Sequence, residues 1–361
     1  MKVAIVHDSF AEFGGAERVV NVLLELFPDA DLYTAFNKKE YRVPRIRREK
    51  FHMSWIQPFP VEGHTSFVQA IAPLIWRSFR FDAYDLVISH GNHLMSNLIH
   101  VPHAVHITFI ETPPKNIIGM TPLTPLQRFT HYERIIAPIY RRALRDTPYV
   151  VVNSQHMRRV IRQRTGVDTA VIYPPVIVPP RIPKKRMGKF YLCVSRLARE
   201  KNLELAILAA TKLRVPLKIA GISNNPSYDR YLHAIAGPTV TFLGFRFDDM
   251  EELYAEAIAF LFPSLSEDFG IAPLEATAHG VPVIAYYGGG TKETVIEGKT
   301  GTFFHAHTAA SLIQAIGRIK AMRFDPNILY AHAKRFGVPR FKREFMDYVK
   351  KAVANTPSFP S

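Results

Sequence analysis

SLSEDFGIAPLEATAHG, residues 264–280, holds two glutamates, Glu267 and Glu275, with seven residues between them. The apolar run ahead of it ends at Pro263, and Gly270, Ala272 and Pro273 fall inside the interval. This pattern predicts a strand, a tight turn and then a helix, with Pro273 as first helical residue, LEATAH as its body and Gly280 as its stop. Backbone N–H groups at such a start have no partner within the helix, and the helix dipole favours an anion there, so a phosphate fits. Glu275 is expected in the first turn, where two acceptor oxygens suit a vicinal diol such as a ribose. Glu267 is expected ahead of the turn, nearer to whatever lies beyond the phosphates. Two solvated surface carboxylates would give the same spacing, so the spacing alone leaves both readings open.

Outward from this stretch the chain repeats one grammar: apolar strand, glycine or polar loop, amphipathic helix, apolar strand. The first half reads as strands at 2–7, 31–36, 85–89, 104–110, 149–153 and 169–173, and the second at 190–195, 217–221, 240–244, 259–263, 282–286 and 301–304. Helical patterns lie between them, including AERVVNVLLELF (16–27), NLELAILAATKL (202–213) and DMEELYAEAIA (249–259). Continuous β-branched and aromatic runs suit strands covered on both faces, so the expectation is α/β with two doubly wound, Rossmann-like parallel sheets. Domains are expected at 1–176 and 189–339, joined by a proline-rich linker at 177–188 within YPPVIVPPRIPKKRMGK. Ligands of such sheets bind beyond the carboxyl ends of the strands, which predicts a binding cleft where the two domains face each other.

Composition narrows the class. The chain has 361 residues, 47% of them hydrophobic, with 46 Lys and Arg against 31 Asp and Glu and a formal charge of +15. That length predicts two cores. The sequence holds no apolar run near the roughly 20 residues of a membrane span, and the N-terminal Val-Ala-Ile-Val run is too short for a secretory signal, so a cytoplasmic location is expected. The single cysteine, Cys193, lies in the strand-like FYLCVSRL and is expected to be a small buried apolar group. Basic residues are dispersed over RVPRIRREK (42–50), YRRALR (140–145), MRRVIRQR (157–164) and RIPKKR (181–186). They suit nucleic acid, an anionic membrane or a phosphorylated substrate equally, but no zinc-finger spacing, recognition helix or aromatic-basic strand signature favours nucleic acid.

Two further stretches match the opening one. In SRLAREKN (195–202), Arg196 and Lys201 follow the first strand of the second half, where two cations can clamp a diphosphate or stand in a solvated loop with Glu200 as partner. In HDSFAEFGGAER (7–18), Gly14 and Gly15 precede a helix after the first strand and permit close backbone approach to a ligand. The third glycine of a dinucleotide fingerprint is missing.

With these motifs, together with NSQHMRRVI, VIYPPV and VTFLG, the chain resembles the retaining GT-B glycosyltransferases of family 4, specifically their mannosyltransferase-like, group 1 members. The resemblance implies that Arg196 and Lys201 hold the donor diphosphate and that Glu275 holds the ribose hydroxyls. It implies that Glu267, with the backbone of Phe269, Gly270, Ile271 and Ala272, meets the donor sugar and phosphate. Gly14 and Gly15 would close over the phosphates, Phe245 and Arg246 would border the base, and a C-terminal helix at 340–353 would cross back onto the first domain. The donor implied is a nucleoside diphosphate sugar, GDP-mannose first and a UDP-sugar second, with no other cofactor and no metal.

One position departs from the family pattern. HITFIETPP (106–114) has Glu111 where members commonly carry histidine before Thr-Pro. A carboxylate cannot act as the same neutral donor. Glu111 is therefore expected either to stabilise positive charge on the sugar ring or to bind an acceptor hydroxyl, with a purely structural strand-end role as the alternative. Asp8, after the first strand, is a second candidate for acceptor contact or for capping its loop. The implied reaction is hexosyl transfer with retention, by front-face attack in which the leaving phosphate takes the acceptor's proton, to a glycan or lipid-linked acceptor. FHMSWIQPFP (51–60) beside the basic cluster that includes Arg45, Arg47 and Arg48 suits peripheral contact with an anionic membrane, or ordinary packing. The competing classes are a nucleotide-sugar epimerase of the same fold, and a basic nucleic-acid-binding protein whose affinity would fall steeply with salt.

Overall fold

A computed structural model describes residues 1–10, 14–38, 46–61, 64–123, 127–184, 188–246 and 249–356, and the backbone of 125–126. The chain divides into two compact units, Met1–Pro175 with Phe341–Ser361, and Val176–Arg340. In the first, strands β1 (Val3–His7), β2 (Asp31–Thr34), β3 (Phe51–Met53), β4 (Leu86–Gly91), β5 (Val105–Ile110), β6 (Tyr149–Val152) and β7 (Ala170–Val171) form one sheet. Its order is β3-β2-β1-β4-β5-β6-β7, with every pairing parallel. β1, β4 and β5 are buried at every residue, as strands sandwiched between helix layers must be. Trp76 and Tyr140 fill one side of this core, and the Trp76 indole N–H donates to the Leu94 carbonyl at 2.6 Å.

The second unit repeats the plan with β8 (Phe190–Val194), β9 (Leu217–Ala220), β10 (Val240–Gly244), β11 (Ala257–Phe262), β12 (Val283–Tyr286) and β13 (Gly301–Phe304). The order is β10-β9-β8-β11-β12-β13, again parallel throughout. Side chains alternate between two cores: Tyr191 and Cys193 join Ala259 and Leu261 on one face, while Phe190 and Leu192 join Phe260 and Phe262 on the other. Cys193 is buried as expected, its thiol pushed up by desolvation, which leaves it an inert packing group.

Two element boundaries depart from the sequence pattern. The helix expected at 249–259 ends at Glu256, because Ala257 and Ala259 pair with Phe190 and Tyr191 in the sheet; alanine and isoleucine tolerate either state, and burial decides. β3 is too short and too polar at its flanks to register as a strand, yet it pairs with β2 through Leu32, Tyr33 and Thr34. The proline-rich run begins docked on the second unit: the Val176 N–H donates to the Phe336 carbonyl and the Tyr330 hydroxyl to the Pro179 carbonyl, at 2.9 and 2.8 Å. The helix Val338–Asn355 buries Phe341 and Phe345 against Phe109 of β5, with ring centroids 6.1 and 6.2 Å away.

His106 lies at the second residue of β5, buried, with Nε2 3.0 Å from the Ser89 hydroxyl. It is therefore inside the sheet and away from the carboxyl edge. Desolvation lowers its pKa to about 4. The unfolded chain, with an ordinary histidine near 6.5, then binds protons before the folded one, so this contribution to stability is present above pH 6.5 and lost as pH falls toward 4. The full shift corresponds to about 3 kcal/mol. Denaturant unfolding at successive pH values should show this decline, and His106→Gln should flatten it.

Candidate active site

Reversal of strand order in each sheet creates a gap at the carboxyl edge: between β8 and β11 in the second unit, and between β1 and β4 in the first. In the second unit a small cavity at this point is lined by Ser195, Lys201, Phe262, Pro263 and Ser264, above Cys193. Pro263 ends β11, and the Ser264 hydroxyl donates to the Glu200 carbonyl at 3.2 Å, tying together the loops that leave the two central strands.

Lys201 and Glu267 meet across this gap. The Lys201 ammonium donates to Glu267 Oε2 at 2.8 Å, and both side chains are about one-fifth exposed, at 20% and 18%. Arg196 reaches Glu200 Oε1 at 3.2 Å with both partners more than half exposed, a solvated pair that contributes little and that a phosphate can displace. Arg196 thus has the solvated Glu200 partner that the sequence left open, and Lys201 pairs with the first glutamate of the opening motif.

The helix starts earlier than its proline suggested. It spans Ile271–Ala278 with Gly270 as N-cap at φ 100°, a conformation that favours glycine. Pro273 is its third residue, still in the first turn, where a missing N–H breaks no helical bond. Glu275 is accordingly the fifth residue, in the second turn and half-buried, while Ile271 and Ala272 supply the N–H groups at the start. The Phe269 side chain is core, 2% exposed and packed on Phe336, so only its backbone is available to a ligand. Phe245 and Arg246 follow β10; Phe245 is exposed, and Arg246 pairs with Asp249 at 3.4 Å.

A feature missed in the sequence reading supports this loop from behind. Gly288, Gly289 and Gly290 precede Thr291, whose hydroxyl donates to the carbonyls of Tyr286 and Gly288 at 2.7 and 2.5 Å. The Gly290 N–H donates to the Glu267 carbonyl at 2.8 Å. A Cβ at Gly289, whose φ is +56°, would sit 2.3 Å from that carbonyl oxygen, and one at Gly290 would sit 2.5 Å from Phe269 Cα. The run GGG is the visible signal: three consecutive glycines after a strand mark a backbone-on-backbone contact.

In the first unit the gap is polar and buried. Asp8 is 5% exposed, and its two oxygens accept from the N–H groups of Leu94 and Ser96 at 2.9 and 3.1 Å. Asp8 therefore holds the loop after β4 rather than capping its own loop. Glu111 follows β5 at 8% exposure; the Asn153 amide donates to its carbonyl at 2.8 Å and to Oε2 at 3.2 Å, and Oε1 lies 3.7 Å from His90 Nε2. The Gly14 N–H donates to Glu17 Oε2 at 2.8 Å, and Gly15 opens the helix Gly15–Leu26. An Asp-x-Asp triplet, Asp29-Ala30-Asp31, lies at the start of β2, the opposite end of the strand from the gap. Asp29 pairs with Lys50 at 3.7 Å and Asp31 accepts from the Tyr84 hydroxyl at 2.8 Å, so both serve the sheet's amino edge.

FHMSWIQPFP is partly buried and partly exposed. Ile56 is 1% exposed and packs in the core, whereas Met53, Trp55 and Phe59 stand out at 44%, 48% and 52% beside exposed Arg47 and Arg48. Arg45 lies outside the described residues. Among those residues no helix is long and apolar enough to cross a membrane.

Residues 178–336, nearly the whole second unit, match the family described as glycosyl transferases group 1. The chain is 29% identical over 244 residues to the GDP-mannose-dependent alpha-(1-6)-phosphatidylinositol monomannoside mannosyltransferase of Mycolicibacterium smegmatis, covering 55% of this chain and 64% of that protein. It is also 29% identical to the alpha-1,3/1,6-mannosyltransferase ALG2 of Kluyveromyces lactis, over 82% of this chain and 71% of that one. The chain spans about a third of the length of the glycogen synthases of two Pseudomonas species that it also matches. Among solved structures, Anabaena Alr3699/HepE in complex with UDP superposes with a TM-score of 0.72 at 19% identity, covering 97% of this chain and 100% of that one. The fold is thus that of the GT-B glycosyltransferases, and the second unit carries the group 1 glycosyltransferase signature.

If the glycine run shapes the Glu267 loop, Gly289→Ala should destabilise the protein by about 3 kcal/mol through overpacking and the left-handed backbone. Gly298→Ala, at φ +75° with open space around it, should cost only about 1 kcal/mol. Parallel denaturant titrations of the two variants measure the difference.

Proposed function

We propose that the protein is a retaining, metal-independent glycosyltransferase that moves a hexose, mannose from GDP-mannose in first place, from a nucleoside diphosphate to a glycan or lipid-linked acceptor. The reading is carried by one observation: Lys201, Glu267 and Arg196 stand at the β8/β11 gap, beside the helix that starts at Ile271, within the segment that matches group 1 glycosyltransferases. The GDP-mannose-dependent mycobacterial relative favours that donor, and the Anabaena neighbour with UDP keeps a UDP-sugar as second choice.

Cleavage of the sugar–phosphate bond puts negative charge on the diphosphate and positive charge on the ring. Arg196 and Lys201 meet the first as charge-assisted donors, with the N–H groups of Ile271 and Ala272 completing the cradle. A diphosphate that draws Lys201 toward itself frees Glu267 to bind sugar hydroxyls. Glu275 accepts from the ribose diol. Glu111 is the first unit's candidate for the developing positive charge or an acceptor hydroxyl. The leaving phosphate takes the acceptor's proton on the same face, which retains configuration.

Arg196→Ala should lower kcat about 10²-fold. Glu275→Gln should weaken the nucleoside diphosphate rather than the chemical step, read as raised donor KM at near-constant kcat. A thermal-shift panel of nucleoside diphosphates and their sugars identifies the donor, and NMR of the product identifies its anomer. Donor epimerised without transfer to any acceptor would refute the proposal.

We further propose peripheral contact with anionic membrane through Met53, Trp55 and Phe59 beside Arg47 and Arg48. Binding to vesicles containing anionic lipid should weaken with salt and with the double charge reversal at Arg47 and Arg48. Salt-independent binding, or no binding, would count against it.

A further inference from the structure

β5 and β6 run parallel with Ile110 opposite Val152 at their carboxyl ends, so the next step of the same register sets Glu111 beside Asn153. Both are buried, at 8% and 3% exposure. The Asn153 amide nitrogen donates twice to this one neighbour, to the Glu111 carbonyl at 2.8 Å and to its Oε2 at 3.2 Å. No other hydrogen bond reaches the carboxylate among the described residues: Oε1 has no partner, and His90 Nε2, 3.7 Å from it, stands outside hydrogen-bond distance.

These two contacts decide which side chain can stand at position 153. A carbonyl oxygen and a carboxylate are both acceptors, and a primary amide carries two N–H groups on one nitrogen, one for each. Aspartate has the same shape, but when ionised it has no donor and would bring a second negative charge into the contact. The Asn153 Oδ1 has no partner among the described residues, so the two acceptors on Glu111 set the orientation of the amide. Its backbone is fixed as well. Asn153 follows β6 directly and precedes Ser154, which caps the helix Gln155–Thr165, its hydroxyl oxygen accepting from the Met157 N–H at 3.0 Å. Met157 and Ile161 anchor that helix in the core, where both are fully buried. In the stretch NSQHMRRVI the serine thus serves its own helix, and the asparagine serves an acid on the neighbouring strand.

We propose that Asn153 is a positioning residue for Glu111, its amide fixing the carboxylate against the end of its own strand. One donor to Oε2 alone would let amide and carboxylate swing together. Bonding the carbonyl of the same residue ties the amide to the backbone, and the carboxylate then follows. The use made of that position rests on the transferase reading, in which Glu111 meets positive charge on the sugar ring or an acceptor hydroxyl; the contact itself does not. For either use the acid has to stand in one place before the substrate arrives, since a misplacement of about 1 Å at a reacting centre can slow turnover about 10²-fold.

The test is a double-mutant cycle on the full chain, read by stability and by turnover. In denaturant titrations Asn153→Asp should destabilise more than Asn153→Ala, because it sets like charges together, and that excess should shrink when Glu111→Gln is also present. Costs that are the same with and without Glu111→Gln would overturn the contact, whether or not the protein transfers sugar. In turnover, Asn153→Ala should lower kcat about tenfold at nearly constant donor KM, and should lower it no further in the Glu111→Gln background. Should Asn153→Ala not fold, the isosteric Asn153→Asp carries the same comparison. Equal losses of kcat in both backgrounds would overturn the positioning role and leave the transferase reading standing, as would full kcat in a folded Asn153→Ala variant beside an impaired Glu111→Gln one. Full kcat in Glu111→Gln would overturn the role given to Glu111 and this one with it.

Discussion

The opposed exits from β8 and β11 are what the second unit's site depends on. The helix after β8 packs through Ala206 and Ala210 on the face that carries Tyr191 and Cys193, whereas the helix after β11 packs through Ala276 on the face of Phe190 and Leu192. Neighbouring parallel strands whose connections leave to opposite faces cannot cover their shared carboxyl end. Lys201 and Glu267 are brought together there by topology, although 66 residues separate them. Everything else at the site, from the Gly270 turn to the glycine run behind Glu267, shapes backbone around that gap.

The same geometry in the first unit yields different chemistry because the residues opposite each other are titratable. His7 and His90 are register partners, and Glu111 lies one residue beyond β5, which places two imidazoles and a carboxylate along one edge. Asp8, adjacent in sequence to His7, is diverted to the backbone of the loop after β4, so alternation along the strand separates a structural carboxylate from the histidine line. A buried edge of this kind would be a liability in a protein selected for stability alone, since each unmatched polar atom costs free energy.

Glu111, at the end of β5, sits beside a histidine from the neighbouring strand, with His90 Nε2 3.7 Å from its Oε1. The basic character of the chain divides in a similar way. Arg196 and Lys201 lie at the gap between strands, while Arg158 pairs with Asp168 at 3.2 Å and Arg142 with Asp146 at 3.4 Å on exposed faces.

The sequence by itself determined the two-sheet α/β architecture, because buried parallel strands demand uninterrupted runs such as VHITFI and AIAFLF that no other context favours. It also set Arg196, Lys201 and Glu267 a short distance beyond strand ends, but put Glu275 one helical turn too early. It did not determine where helices began when a glycine turn rather than a proline set the first residue, as at Ile271, or where one ended in residues with no strong preference, as at Ala257. Only the tertiary structure decided which residues meet: Lys201 with Glu267, Asp8 with a loop, His7 with His90. Local preference acts within a few residues, whereas strand order and register act across tens of them, and neither can be read from a single segment.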